Sequence, residues 1–190
     1  MNKSRSQKIA VVFPGVGYTK DRPLLYYAGK LAVKKGYKLI HVDFSGLSWS
    51  KEQLKDRAFL LETLQRCLKM TDDCLAKDGL DLENSEVVFI SKSIGTVVAN
   101  AYAGEHSLSA RQICFSPLEI IEDYVKESNG LLFYGDADPY ADPKEIERIA
   151  KEKNLTLYKV SGGNHSLETG DVEKDIENLK EMMERLTDLC

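Results

Sequence analysis

The sequence predicts an α/β protein: a three-layer α/β/α sandwich around a mostly parallel six-stranded sheet. Two observations predict it. Six short apolar runs, near 8–13, 38–44, 86–91, 112–116, 130–134 and 155–160, alternate with stretches of helical character. The connections are long enough to hold a helix, and strands joined by such crossovers pair in parallel, with helices on both faces. At 190 residues, a single domain over 1–190 with a core large enough to bury a sheet is expected.

The elements follow in order. Ile9-Ala10-Val11-Val12-Phe13 is the first strand and runs into Pro14-Gly15-Val16-Gly17-Tyr18-Thr19. Asp21 and Pro23 open a helix that Gly36 ends. Lys38 to Phe44 is the second strand and contains His41. Ser50-Lys51-Glu52-Gln53 reads as a capping box for a long helix with Leu54, Ala58, Leu61, Leu64, Leu68 and Leu75 on its apolar face. Val87-Val88-Phe89-Ile90 is a strand that passes through Ser91-Lys92-Ser93-Ile94-Gly95 into a helix. Further strands end at Ser116, Tyr134 and Val160, and Pro143 to Lys153 is helical. A last helix carries Val172, Ile176, Leu179, Met183 and Leu186 at steps of 4, 3, 4 and 3, a stripe expected to face the core. Internal repeats, low-complexity segments and linkers are not evident.

Three strand ends carry chemistry. Ser93 lies at the tip of a strand, in a tight turn that opens a helix, which is the setting of a nucleophile elbow. Such a turn needs small residues two before and two after its centre, and Ser91 and Gly95 are small. The helix N-terminus behind it offers free N–H groups and positive potential to a developing oxyanion. Taken alone, the same turn reads equally as a helix start with Ser91 or Ser93 as N-cap. Leu131-Leu132-Phe133-Tyr134 ends in Gly135-Asp136-Ala137-Asp138-Pro139, where Asp136, Asp138 and Asp142 are rival acids or plain turn residues. Leu155 to Val160 ends in Ser161-Gly162-Gly163-Asn164-His165. Of three histidines, His41 is inside a strand and His106 is near a helix end. Only His165 follows a late strand in a glycine-rich loop that can return an imidazole over the sheet.

With candidates in the order Ser, Asp, His, each just past a strand, the chain resembles the α/β-hydrolase fold serine hydrolases, as a small, lidless member. The resemblance spans nearly all of it, from Lys8 to Leu186. It implies the strand order 2-1-3-4-5-6 of a minimal α/β-hydrolase fold, without the two early antiparallel strands of larger members. It implies Ser93 as nucleophile, His165 as base and Asp138 as acid, since the family spacing Gly-x-x-Asp matches Gly135 to Asp138. The oxyanion donors would be the N–H of Ile94 and that of Val16 or Gly17. The chain departs from the family pattern in having Ser91 where glycine is usual and Pro14 where His often stands.

Composition fits a compact enzyme and excludes other classes. Hydrophobic residues are 43% and charged residues 29%, ordinary for a globular chain. The net charge of −4, with only short basic stretches at Lys3 to Lys8 and Lys34-Lys35, argues against nucleic acid as partner. No apolar stretch approaches spanning length and no signal peptide is evident, so a cytoplasmic location without membrane contact is expected. Cys67, Cys74, Cys114 and Cys190 show no metal spacing and read as reduced thiols; neither metal nor organic cofactor is expected. Gly15-Val16-Gly17 lacks the third glycine of a dinucleotide fingerprint, since Lys20 stands there, and no Walker A pattern occurs.

The expected activity is cleavage of small acyl esters or thioesters through an acyl-enzyme. The segment from Pro117 to Asn129 has room for only a short helix, so no lid is expected and the site should be open and shallow. Its walls would be Tyr18, Thr19, Lys20, Leu118 and Tyr140. Lys20 reads as an anion-attracting group or a plain solvated lysine, and Lys92 is expected to point away from the reaction. Two rivals stand beside this reading. One is a non-catalytic ligand- or partner-binding module on the same fold. The other is a flavodoxin-like phosphate or nucleotide binder using Gly15 to Thr19.

Overall fold

The computed structural model describes residues 7–187, apart from 49, 51, 54, 55 and 78. Lys3, Lys51, Leu54 and Cys190 therefore lie outside the described residues. Six strands form one sheet: β1 Lys8–Phe13, β2 Lys38–His41, β3 Glu86–Lys92, β4 Ala110–Phe115, β5 Gly130–Gly135 and β6 Thr156–Val160. Their order is β2-β1-β3-β4-β5-β6, and all five pairings are parallel. The helices are α1 Pro23–Lys34, α2 Arg57–Lys77, α3 Ile94–Glu105, α4 Pro143–Glu152 and α5 Val172–Leu186. A short 3-10 helix spans Glu119–Asp123.

Alternation along the strands sorts the core into two layers. Ile9, Val11, Phe13 and Phe89 face α2 and α3, while Ala10, Val12, Ile90 and Phe133 face α1 and α5. Each fully enclosed aliphatic or aromatic side chain there contributes about 1.5–3 kcal/mol relative to exposure. The three-layer architecture follows from strands that are apolar on both faces.

Several boundaries differ from the sequence expectations. β2 stops at His41 because Asp43 accepts hydrogen bonds from the Ser45 N–H and hydroxyl, which turns the chain away. β4 stops at Phe115 because Ser116 takes a positive φ of 45°. The α1 N-cap is Arg22, which offers no side-chain cap. Instead, the buried phenol oxygen of Tyr18 accepts from the Leu24 N–H at 3.1 Å.

The capping box at Ser50 and Gln53 does form, with reciprocal bonds of 2.8 and 3.4 Å, but it closes only a local turn. α2 begins later, where Asp56 accepts from the Ala58 and Phe59 N–H groups. The buried face of α2 is Leu60, Thr63, Leu64, Cys67, Leu68, Thr71 and Leu75, so Ala58 and Leu61 lie outside it. The α5 stripe is only half a core contact. Leu186 is buried and Leu179 and Met183 are partly buried against the core, with Met182, outside the stripe, buried beside them; Val172 and Ile176 are 71% and 62% exposed. A groove of about 450 Å³ separates the first turns of α5 from the start of α1, so no layer covers those side chains.

Candidate functional site

In a parallel sheet all strands end at one edge, and the loops following β1, β3, β5 and β6 converge there. Ser93 sits between β3 and α3 with φ 56° and ψ −127°, a conformation costly for a residue with a Cβ. Its hydroxyl makes no capping bond. The reading of Ser93 as an N-cap therefore fails, and Oγ instead lies 2.8 Å from His165 Nε2. His165 Nδ1 lies 2.7 Å from Asp138 Oδ2. The Asp138 side chain is nearly sealed at 4% exposure, and its other oxygen accepts from the Tyr140 N–H at 2.8 Å.

The rival acids are occupied elsewhere. Asp136 accepts from the Gly162 N–H at 2.6 Å and pairs with Lys159 at 3.0 Å, bracing the His165 loop. Asp142 caps α4 by accepting from the Lys144 N–H.

Small residues let these loops meet. A Cβ on Gly95 would lie 2.4 Å from the Phe13 carbonyl oxygen and 2.5 Å from that of Pro14. One on Gly135 would lie 2.0 Å from the Gly163 oxygen. Ser91 is buried and donates to the Ile113 carbonyl at 2.9 Å. Gly15 and Tyr18 exchange backbone bonds of 3.2 and 3.4 Å, which closes a tight turn with Gly17 at φ 71°. That turn lies against Ser93, since a Cβ on Gly15 would be 3.1 Å from the Ser93 Cβ. Val16 and Gly17 belong to that turn, and Ile94 directly follows Ser93 as the first residue of α3.

Burial holds His165 below the ordinary histidine pKa of 6.5; the Asp138 contact opposes this, and the Lys92 charge reinforces it. The imidazole is therefore a free base at neutral pH, able to accept a proton from Ser93.

The five expected wall residues do not share one cleft. Leu118 and Tyr140 line a depression of about 760 Å³ beside Asp138, and the Tyr140 ring packs on His165 at 4.7 Å between centroids. Thr19 and Lys20 line another, of about 360 Å³, beyond the Gly15 turn, where Lys20 is paired with Asp21 at 3.0 Å. Tyr18 is 8% exposed and packs beneath its loop, because its hydroxyl serves α1.

Two residues stand out that the motifs did not indicate. Ser116 donates its hydroxyl to the His165 carbonyl at 2.9 Å and so anchors the imidazole's backbone. Lys92, expected to point away from the reaction, is sealed at 1% exposure, its ammonium 5.2 Å from the centre of the Tyr18 ring. Burial brings its pKa down to about 7 despite the neighbouring Asp138 and Glu168 carboxylates. Neither position carries a spacing signal, since burial at a strand end is invisible in a run of mixed residues.

Among the described residues no group of three or more His, Cys, Asp or Glu side chains could hold a metal ion, and no helix is long and apolar enough to cross a membrane. No family model and no curated protein matches the sequence. Solved structures do match. Est1E from Butyrivibrio proteoclasticus with bound ferulic acid superposes with a TM-score of 0.70 at 15% identity, covering 99% of this chain and 90% of that one. An α/β serine hydrolase without a lid from Xanthomonas campestris gives 0.62 at 15% identity, covering 100% and 85%. An α/β serine hydrolase homologue from Coxiella burnetii gives 0.60 at 14% identity, covering 96% and 86%. With the same strand order and these likenesses over nearly its whole length, the chain has the α/β-hydrolase fold.

Proposed function

We propose that the chain is a serine hydrolase that cleaves small acyl esters or thioesters through an acyl-enzyme. The observation that carries this reading is the hydrogen-bonded line Ser93–His165–Asp138, at 2.8 and 2.7 Å, starting from a serine held at positive φ. A core or a cap does not require that combination, and the esterase and hydrolase names of the structural neighbours agree with it. Ser93 Oγ attacks the acyl carbon while His165 Nε2 takes its proton. The tetrahedral oxyanion is met by the N–H groups of Ile94 and of Val16 or Gly17. Collapse expels the alcohol or thiol, which receives the proton from His165. Water then repeats the sequence on the acyl-Ser93 ester and releases the acid. Asp138 holds the imidazole tautomer and stabilises its cation. Each charge that develops has a partner in the chain, so the reading invokes no metal or cofactor. Cys67 and Cys114, buried and in no disulfide, suit a cytoplasmic enzyme.

A fluorophosphonate probe tests the reading. Wild-type protein should become labelled on Ser93, and Ser93→Ala should not. Absence of labelling in folded wild-type protein would favour a non-catalytic binding module on the same fold.

A further inference from the structure

A lysine is among the costliest residues to bury, because its ammonium must shed water. Lys92 closes β3 directly before Ser93, yet it is sealed to 1% exposure. A methionine would fill the space without that cost, so packing alone does not account for an amine here. A Cβ on Gly15 would lie 3.5 Å from Lys92 Cγ and 3.3 Å from the Lys92 carbonyl oxygen, so the stem runs along the Gly15–Tyr18 turn. At its end the ammonium lies over the Tyr18 ring, 5.2 Å from the centre. A cation over an aromatic face is attracted to it, more strongly where water is excluded. The Asp138 carboxylate is bonded elsewhere, to His165 and to the Tyr140 N–H.

The turn needs such a tie. On the hydrolase reading it carries an oxyanion donor, Val16 or Gly17, which must stay within about 0.5 Å of its productive place. The two backbone bonds that close it, at 3.2 and 3.4 Å, sit at and beyond the long end of the usual range of about 2.7–3.2 Å. Gly17 stands at φ 71°, and nothing lies within 4 Å of where its Cβ would be. Its own bonds and packing therefore hold the donor loosely. The Tyr18 hydroxyl accepts from the Leu24 N–H, which ties the turn to α1 and not to the nucleophile. The Lys92 contact ties it to the residue before Ser93.

We propose that Lys92 is a positioning residue: its ammonium holds the Tyr18 ring, and through it the oxyanion-donating turn, in register with the Ser93 hydroxyl. This role rests on the hydrolase reading.

The test compares p-nitrophenyl acetate with its thiono analogue, in which sulfur replaces the carbonyl oxygen. Sulfur is larger and accepts hydrogen bonds poorly, so the ratio of the two kcat/KM values reads the oxyanion donors themselves. At about pH 6 Lys92 carries its charge, since burial brings its pKa down to about 7. Lys92→Met should then lower kcat on the oxygen ester about tenfold with little change in KM, less than the roughly 10²–10³-fold lost when a donor is removed outright. Turnover of the thionoester should change little, so the ratio should fall by the same factor. Tyr18→Leu should lower the ratio likewise, and the double variant should be no worse than either single one. Without substrate, ¹⁵N relaxation should show the Val16 and Gly17 amides gaining fast motion in Lys92→Met. An unchanged ratio overturns the proposal, as does an equal loss on both esters, which marks general damage to the site. Should one single variant fail to fold, the other decides by the same ratio. Fluorophosphonate labelling reads the hydrolase proposal separately: Ser93 labelled in the wild type, with the ratio unchanged in Lys92→Met, defeats the role of Lys92 alone.

Discussion

At the scale of single residues, three aspartates within seven positions have three different duties, and substitution should separate them. Asp138→Asn leaves the volume intact but presents His165 with the wrong hydrogen-bond partner. It should lower kcat/KM by orders of magnitude, about 10⁴-fold if the loss matches that of the same change in a Ser-His-Asp protease. Asp136→Asn should cost far less turnover, since Asp136 touches Gly162 and Lys159 and not the imidazole. Asp142→Asn keeps a good α4 cap and should leave turnover unchanged. Steady-state kinetics with p-nitrophenyl acetate reads all three, and a larger loss at Asp136 than at Asp138 would reassign the acid. Ser93, Asp138 and His165 are legible in the sequence because each closely follows an apolar run, where a parallel sheet places its loops. Lys92 and Ser116 are not, because their partners come from loops distant in the chain: Tyr18 lies against Lys92, and the His165 carbonyl accepts from Ser116.

At the scale of elements, α3 carries two glycines with opposite physical meaning. A Cβ on Gly95 would meet two backbone carbonyl oxygens within 2.5 Å, and backbone cannot swing aside as a side chain can. A Cβ on Gly104 would meet nothing within 4 Å. Gly95→Ala should therefore push α3 away from β1, disrupt the Ser93 turn and abolish probe labelling. Gly104→Ala should keep labelling and stabilise the protein by roughly 0.5–1 kcal/mol, the helix-interior difference between the two residues. Thermal melts together with labelling check the pair. Equal behaviour of the two variants would mean that the Gly95 contact relaxes easily. Gly95 is legible from the elbow's demand for small residues. The faces of α2 and α5 are read less well, since periodicity gives a stripe but not the extent of the layer beneath it. Val172 and Ile176 continue the α5 period past the point where α1 still packs against it.

At the scale of the whole molecule, the buried Lys92 charge and the missing lid both have measurable consequences. The unfolded chain protonates Lys92 at the ordinary lysine value of 10.5, the folded chain only near 7. At and below pH 7 the folded state bears the full cost of the buried charge; the cost fades as pH rises to 10.5, where both states are neutral. Lys92→Met should therefore raise the melting temperature most at pH 7 and below, and the gain should shrink toward pH 10.5. A gain independent of pH would point to packing instead. The absence of a lid limits the substrate. The chain between β4 and β5 holds only the 3-10 helix Glu119–Asp123, and the depression beside Asp138 is rimmed by Arg57, Glu122, Asp123 and Arg148. A methylene contributes about 0.8 kcal/mol only where the protein encloses it, and a long acyl chain crossing that rim would strip water from paired charges. The kcat/KM on p-nitrophenyl esters should peak between acetyl and butyryl and fall for longer chains, with no activation at a lipid–water interface. A profile still rising at octanoyl would require an apolar acyl channel, with the groove between α1 and α5, lined by Leu24, Ile176 and Leu179, as the first place to seek it.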